Sequence, residues 1–236
     1  MSNCKDIQIK ILVVGDSGVG KTHLSSILTD VSGSMKNAQC NWTIGANVEI
    51  LIHKYKQGTA EEDLYFCELW DVSGNLAHTM SRSVFFNQFH GVIFVHNLTN
   101  RKSLENIRGW SEEVLDGDQE SGANVPLILV GTRMNDVMKE KKTLVEERSR
   151  RMAEELGSVL VNLDCSDKKA LSPGSAVKIG AEEFVVALIL TLILAFSKFF
   201  DRVVDQTKAR QQRAMRISTG WSTSASTSYR GGKKSD

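Results

Sequence analysis

The sequence is poor in cysteine, in net charge and in long apolar runs. Its four cysteines are scattered over 236 residues without the close spacing of a metal site, so we expect reduced thiols. The formal net charge is only +1, which argues against a protein that binds nucleic acid through its overall charge. No charged-then-apolar pattern of a secretory signal opens the chain. These scarcities predict a cytoplasmic protein without a nucleic-acid partner.

The longest apolar run covers residues 184–196, with the sequence FVVALILTLILAF. As a helix, its thirteen residues would extend roughly 20 Å, less than the ~30 Å hydrocarbon layer of a membrane. We therefore expect no membrane span. A helix that is apolar all round must still be buried, so this run requires a surface to pack against.

Basic residues concentrate near the end of the chain. Residues 202–236 hold eight Lys and Arg but only two Asp. Such a segment is suited to peripheral contact with an anionic membrane or with an acidic partner. Residues 211–236 are also rich in Ser, Thr and Gly, which predicts a disordered tail after a domain that covers residues 1–210.

Apolar periodicity predicts strands that alternate with helices. Strands are expected at 7–14, 46–55, 64–70, 91–98, 125–131 and 158–164. Amphipathic helices are expected after residue 22, over 102–115 and over 139–156. The second and third strands are separated only by a polar loop, which indicates an antiparallel hairpin. The alternation as a whole predicts an α/β fold with a mostly parallel sheet.

The first strand runs into GDSGVGKT, residues 15–22, which matches G-x-x-x-x-G-K-[ST] in the strand–loop–helix setting that this motif requires. In such a loop, backbone N–H groups surround phosphate oxygens, Lys21 reaches the β- and γ-phosphates, and the Thr22 hydroxyl binds Mg²⁺. A glycine-rich turn without a ligand is the alternative interpretation. The predicted phosphate-binding residues are Ser17, Gly18, Val19, Gly20, Lys21 and Thr22.

Two weaker motifs follow. In WTIG, residues 42–45, Thr43 could close over the γ-phosphate side and complete the Mg²⁺ shell. In WDVSG, residues 70–74, Asp71 could hold Mg²⁺ through water, and the Gly74 N–H could contact the γ-phosphate. Each motif alone is ambiguous, since threonine is common before strands and aspartate often caps a turn.

The order of these motifs resembles that of the small GTPases of the Ras superfamily. GDSGVGKT, WTIG and ELWDVSG are most similar to the Rab branch, while HNLTN, GTR and NLDCS resemble the atypical Rab-like protein 3 group. The similarity covers about residues 7–178 and resumes at FSKFFDRVV. It implies a single P-loop GTPase domain with a six-stranded sheet, helices on both faces and an extended C-terminal helix. GTP or GDP, together with Mg²⁺, are the implied ligands.

The resemblance also implies partners and a cellular role. Small GTPases are switches whose GTP- and Mg²⁺-ordered segments are read by effector or regulator proteins, here in small-GTPase signalling or membrane traffic. The end of the sequence, GGKKSD, has no cysteine for a prenyl anchor. This argues against the usual lipid-anchored cycle and leaves peripheral membrane contact through the tail. The apolar run and the tail could also support a homodimer.

One departure from the family concerns hydrolysis. Asn75 stands where family members carry the glutamine that orients the attacking water, and its side chain is one methylene shorter. We therefore expect slow or absent GTP hydrolysis, with Asn75 as the candidate catalytic residue. A pseudo-GTPase scaffold with a structural nucleotide is the alternative function. A metabolic P-loop kinase fits less well, because WDVSG and the hairpin before it have no role there.

A second departure concerns the base. The family's guanine-reading Asn-Lys-x-Asp is replaced by Thr132, Arg133, Met134 and Asn135, and an aspartate follows one residue late as Asp136. The Asn135 amide would place donors against the donors of guanine, and an unpaired buried donor costs about 1–3 kcal/mol. Either the preference for guanine is weakened, or a shift of one residue presents Asp136 to the base.

Asp164 and Cys165 stand in the place of the family's Ser-Ala-Lys, so their backbone N–H groups could contact guanine O6. For Cys165, a purely structural role as a small buried residue is equally compatible with the sequence.

Residues 179–195 are additional to the family pattern, in which the last helix would run directly into FSKFFDRVV. Phe196, Phe199, Phe200 and Val203 keep helical spacing and are expected to pack on the sheet. The extra residues are either a genuine helix extension that is buried against a partner or translated non-coding sequence of the gene.

Overall fold

A computed structural model describes residues 7–29, 42–116, 125–164 and 183–224. Its six strands form one sheet in the order β2-β3-β1-β4-β5-β6. The strands are β1 Ile9–Val14, β2 Ala46–Tyr55, β3 Asp63–Val72, β4 Gly91–Asn97, β5 Leu127–Thr132 and β6 Val159–Asn162. β2 pairs with β3 antiparallel, and every other neighbouring pair is parallel. The predicted α/β fold with a six-stranded, mostly parallel sheet is confirmed.

The described helices connect these strands and cover both faces of the sheet. They are α1 Lys21–Thr29, α2 Thr79–Arg82, α3 Arg101–Glu105, α4 Ile107–Leu115, α5 Lys139–Leu156 and α6 Glu183–Ser224. The single helix expected over 102–115 is therefore divided in two at Asn106. The Asn106 side-chain amide donates a hydrogen bond of 2.7 Å to Asp16, which lies 90 positions earlier in the chain. The residue at the division is therefore held by a contact outside its own helix.

Side chains alternate across the sheet and supply two apolar layers. Ile9, Ile11 and Val13 of β1 point into the layer that contains α1 and α6. Leu12 and Val14 point into the opposite layer, which contains α4 and α5. Because β1 lies within the sheet and is buried on both faces, it is apolar at almost every position. The loop that follows β1 therefore starts from a fixed point in the core.

Helix α6 packs on the sheet through Phe196, Phe199, Phe200 and Val203, which are buried as their spacing predicts. The helix continues through 211–224, a stretch that the composition assigns to a disordered tail. Good helix formers such as Gln, Arg, Ala and Met fill the start of this stretch, which explains the helical conformation. Residues 225–236 of the predicted tail lie outside the described residues.

The apolar run 184–196 belongs to α6, although residues 179–182 before it lie outside the described residues. Near its end, Leu194 leaves 52% of its surface exposed, so the sheet does not cover it fully. Among the described helices, none combines the length and the apolar character needed to cross a membrane.

Polar side chains of α6 fasten it to the end of the β2–β3 hairpin. The Asp201 carboxylate lies 2.8 Å from His53 Nε2 and accepts a hydrogen bond of 3.1 Å from the backbone N–H of Lys56. Tyr55 donates a hydrogen bond of 2.6 Å to Asp205. Burial lowers the pKa of His53, and Asp201 opposes this shift. The hairpin is thus held at its turn end by α6, while its other end opens towards the loop that follows β1.

Candidate nucleotide-binding site

The loop of residues 15–22 connects β1 to α1 and lies against the end of β3. A Cβ atom added to Gly74, just after β3, would lie 2.4 Å from the carbonyl oxygen of Gly15 and 2.5 Å from the backbone nitrogen of Ser17. Only glycine fits at that distance. Gly20 has a φ of +102°, which also favours glycine. Two predicted phosphate-contacting segments therefore touch through their backbones.

Lys21 is the first residue of α1 and is only 6% exposed. Its ammonium group donates hydrogen bonds of 2.9 Å to the carbonyl oxygens of Gly15 and Asp16. Burial lowers the pKa of Lys21 to about 8, although the carboxylates of Asp71 and Asp16 oppose the shift. A buried ammonium whose hydrogen bonds end on neutral carbonyls is well prepared to meet an anion.

Thr22, Thr43 and Asp71 converge although they come from three separate segments. The Thr22 hydroxyl donates to Asp71 Oδ2 over 2.5 Å, and the Thr43 hydroxyl lies 3.1 Å from both partners. Asp71 is fully buried, and its Oδ1 has no hydrogen-bond partner among the described residues. Burial raises the pKa of this carboxyl, against the hydrogen bond from Thr22 and the charge of Lys21. Two hydroxyls and a carboxylate are hard oxygen ligands that fit Mg²⁺.

A cavity of about 450 Å³ opens above these groups, within the size range of small-molecule sites. The predicted site residues that line it are Ser17, Gly18, Val19, Gly20, Lys21, Thr22, Thr43, Gly74, Asn75 and Arg133. The wall also contains His23, Trp42, Ser73, Thr132 and Asp136, which the sequence analysis did not assign to phosphate or metal binding. The loop of residues 15–22, the segment around Thr43 and the residues that follow β5 thus line one cavity.

Thr132, at the end of β5, and Arg133 after it brace the phosphate loop. Thr132 is buried, and its hydroxyl donates to the carbonyl oxygen of Val19 over 2.7 Å and to that of His96 over 3.1 Å. Arg133 has a φ of +58° and donates to the carbonyl oxygen of Gly18 over 3.3 Å. These hydrogen bonds hold the start of the segment that follows β5 against the phosphate loop.

Of the next three residues, Asp136 alone belongs to the cavity wall. Asp136 lines the cavity, whereas Met134 and Asn135 are absent from its wall. The backbone N–H of Asn135 donates to Asp164 Oδ2 over 3.1 Å, so Asp164 braces this turn. The predicted contact of Cys165 falls outside the described residues.

Comparison with known proteins agrees with this arrangement. The sequence model of the Ras family matches residues 10–177. The chain belongs to the Ras family. Rab-like protein 3 of Homo sapiens is 37% identical over 223 residues, which cover 84% of this chain and 85% of that protein. Rab-like protein 3 of Xenopus tropicalis is 35% identical over 228 residues, with coverage of 86% and 88%. Small GTPase LIP1 of Arabidopsis thaliana is 37% identical over 151 residues, with coverage of 56% and 43%.

Ras-family membership confirms the resemblance drawn from the motifs, including its similarity to Rab-like protein 3. Ras-family proteins are GTP-binding regulatory GTPases that typically use Mg²⁺ and interact with effectors and regulators. The α/β domain, its P-loop and the GTP-binding class of the protein are therefore established at the level of the family.

Asn75, which stands in the place of the family's glutamine, turns its side-chain carbonyl oxygen towards its own loop. Asn75 Oδ1 accepts a hydrogen bond of 3.0 Å from the backbone N–H of Ala77, where a 3₁₀ turn, Leu76–His78, begins. Its backbone N–H donates to the hydroxyl of Ser73 over 3.4 Å. The carboxamide thus stabilises the turn after Gly74, although the residue lines the cavity.

The cavity-lining residues that the sequence analysis did not assign to phosphate or metal binding have weak local patterns. Thr132 occupies the place of the family's asparagine, so its position alone could have suggested a bracing role. Trp42 precedes Thr43, yet a tryptophan in a loop has no specific meaning in sequence. His23 follows Thr22 on α1, and only the fold shows that both residues face the cavity.

The hydroxyl of Thr132 should stabilise the loop against β5. Thr132→Val keeps the shape but removes the donor to the Val19 and His96 carbonyls, which should cost about 1–3 kcal/mol in the free energy of unfolding. Urea denaturation of the nucleotide-free protein measures this change. Thr99→Val, which removes an exposed hydroxyl bonded to Asn97, is the matched control and should change stability little. Equal effects of the two variants would contradict the bracing role.

Proposed function

We propose that this protein is a GTP-binding regulatory switch of the Rab-like type, with its nucleotide in the cavity above residues 15–22. The observation that carries this proposal is a pair of buried side chains of opposite charge: Lys21 on the cavity wall, and Asp71 next to Thr22 and Thr43 of the same wall. Within the described residues, Lys21 donates hydrogen bonds to two carbonyl oxygens of its own loop, and Asp71 keeps one carboxylate oxygen without a partner. A nucleoside phosphate and its cation would satisfy both groups at once.

The metal in this proposal is Mg²⁺, held by the Thr22 and Thr43 hydroxyls and by Asp71, directly or through water. When bound, such an ion neutralises charge on the β- and γ-phosphates. Thr43 precedes β2, and Gly74 follows β3, so the two segments that approach this position are the two ends of one hairpin. Loss of the γ-phosphate would therefore remove contacts from both segments, which is the basis of switching.

Partner proteins would read these segments on their exposed side. Trp42, Ile44, Leu76 and Met80 are 80%, 82%, 83% and 93% exposed, and in sequence they lie close to Thr43 or Asn75, which line the cavity. Large exposed apolar side chains of this kind favour protein contact. We propose effector or regulator proteins as partners, in small-GTPase signalling or membrane traffic.

We further propose that Asp136, rather than Asn135, reads the base. The Asp136 carboxylate belongs to a residue of the cavity wall, while Asn135 is absent from that wall and its N–H is bonded to Asp164. A carboxylate accepts hydrogen bonds from guanine N1–H and from the exocyclic amine, which an amide does not do equally well. The one-residue delay of the aspartate would then be compensated by the turn Met134–Asp136.

A pseudo-GTPase scaffold is the second candidate function. The observation in its favour is the hydrogen bond from Ala77 to Asn75, which occupies the carboxamide oxygen that would otherwise orient water. In this case a bound nucleotide would stabilise the fold, and partners would bind irrespective of hydrolysis. The two functions share the phosphate site and differ in the turnover rate.

Lys21→Ala should abolish retention of guanine nucleotide. Lys21 is the only lysine or arginine in the loop of residues 15–22, and it lies on the cavity wall, where its ammonium would bind the phosphates. Nucleotide that copurifies with the protein is identified by mass spectrometry and quantified after denaturation. Lys102→Ala, on an exposed side chain of α3, should retain the nucleotide. Undiminished retention by Lys21→Ala would rule out a working phosphate site.

Asp136→Asn should weaken GTP binding by about tenfold or more, the cost of one unsatisfied donor, and should strengthen binding of xanthosine triphosphate. Asn135→Asp should change GTP affinity by less than about twofold. Titration of GTP, ATP and xanthosine triphosphate against both variants measures the order of preference. A strong gain of GTP affinity in Asn135→Asp would assign the base to that residue instead.

Single-turnover GTP hydrolysis should be slow, and Asn75→Gln should accelerate it, because the longer side chain can orient water beyond the Ala77 contact. Asn87→Gln is a control outside the cavity. Fast hydrolysis by the unaltered protein would contradict the role given to Asn75. A slow wild type that Asn75→Gln fails to accelerate would favour the scaffold.

A further inference from the structure

A stacked pair of buried side chains joins the segment after Gly74 to helix α4. Arg82 ends α2 and is 5% exposed, and Trp110 of α4 is exposed to the same extent. The guanidinium carbon lies 4.0 Å from the centroid of the Trp110 ring. A cation over the face of tryptophan is attracted by the ring, most strongly where water is excluded. The contact is therefore a firm link between the two helices.

Glu113 fixes the guanidinium over the ring. Arg82 Nε donates to Glu113 Oε1 over 2.5 Å, and Nη2 donates to the other carboxylate oxygen, which gives a two-point ion pair. Arg82 Nη1 is buried and has no hydrogen-bond partner among the described residues. A buried donor left in this way is costly, so packing of the fold alone does not explain why an arginine stands here.

The indole N–H of Trp110 reaches the phosphate loop. Trp110 Nε1 donates to Asp16 Oδ1 over 2.9 Å, and Asn106 donates to Asp16 Oδ2 over 2.7 Å. The backbone carbonyl of the same Asp16 accepts a hydrogen bond from Lys21. A contiguous path thus runs from Arg82 through Trp110 and Asp16 to Lys21 on the cavity wall.

We propose that Arg82 and Trp110 are positioning residues for the bound nucleotide, which act on the phosphate loop through Asp16. The stack fixes the indole, the indole N–H fixes the Asp16 carboxylate, and Asp16 holds the loop in the shape that surrounds phosphate. This inference rests on the proposed nucleotide site. It adds a route by which displacement of α2 loosens the loop and releases nucleotide, without any contact between Arg82 and the ligand.

The electrostatics of the loop agree with this path. Burial is the main reason for the lowered pKa of Lys21, Asp71 and Asp16 oppose it, and the charge of Arg82 adds to the lowering. Because both side chains are cationic, the charge of Arg82 disfavours the ammonium form of Lys21. Departure of Arg82 would change the field at Lys21 as well as the support of Asp16.

The chain offers a matched control on the same helix. Arg108 of α4 makes the same two-point ion pair through Nε and Nη2, at 2.7 and 2.8 Å, with Glu155. That pair is exposed at both partners. Arg108→Met therefore removes an arginine–glutamate pair from α4 without disturbing the stack or Asp16.

The experiment measures release of a fluorescent GDP analogue from the full-length protein, well below the melting temperature of each variant. Arg82→Met removes the cation, and Trp110→Phe keeps an aromatic face but removes the N–H donor to Asp16. Each should accelerate release by about tenfold, the factor expected for one charge-assisted hydrogen bond. The double variant should be no faster than the faster single variant, since both act on one path. Arg82→Lys should restore part of the retention, and Arg108→Met should change the rate by less than about twofold.

Three outcomes would overturn the inference. Release rates of Arg82→Met and Trp110→Phe that match the wild type, with only their melting temperatures lowered, would show a purely structural pair. Rates that multiply in the double variant would show two independent effects. A wild type that retains no nucleotide would contradict the proposed function and this inference together. If Arg82→Met does not fold, Arg82→Lys and Trp110→Phe carry the same comparison.

Discussion

The parallel pairing of β1 with β3 is the constraint on which the site depends. In this pairing Val13 lies opposite Asp71, so the two strands end side by side at the same edge of the sheet. The loop after β1 and the backbone of Gly74 after β3 must then meet, and they do so at a distance that admits no side chain at Gly74. The burial of Lys21 and Asp71 follows from this juxtaposition. Ligands of open α/β sheets bind at such carboxyl ends.

Local pattern was sufficient to predict much of this arrangement. The phosphate loop has an unambiguous motif, the hairpin has short alternating strands, and the phenylalanines of FSKFFDRVV have helical spacing. Each of these features is set by neighbouring residues, so one sequence is enough to find it. The assignment of Thr22, Thr43 and Asp71 to one cluster came from the family resemblance, and the structure places their oxygens within hydrogen-bonding distance.

The features that sequence did not predict depend on residues far apart in the chain. Trp110 and Asp16 are separated by 94 positions, and nothing near either residue indicates their hydrogen bond. Asn106, at which the predicted helix is divided, donates a hydrogen bond to the same aspartate. The choice between Asn135 and Asp136 depends on a turn whose geometry is fixed by Arg133 and Asp164. Contacts between distant parts of the chain are involved in each case, and neighbouring residues in the sequence do not indicate them.

The contact between α6 and the hairpin has a consequence for strand pairing. An edge strand such as β2 can in principle slide by two residues along its neighbour, because that shift keeps every side chain on its own face. Such a slide would move His53 and Tyr55 by about 7 Å from Asp201 and Asp205. Both hydrogen bonds would then break and leave a buried imidazole without its acceptor. The register of the hairpin is therefore fixed from outside the sheet, by residues that lie 148 and 150 positions further along the chain.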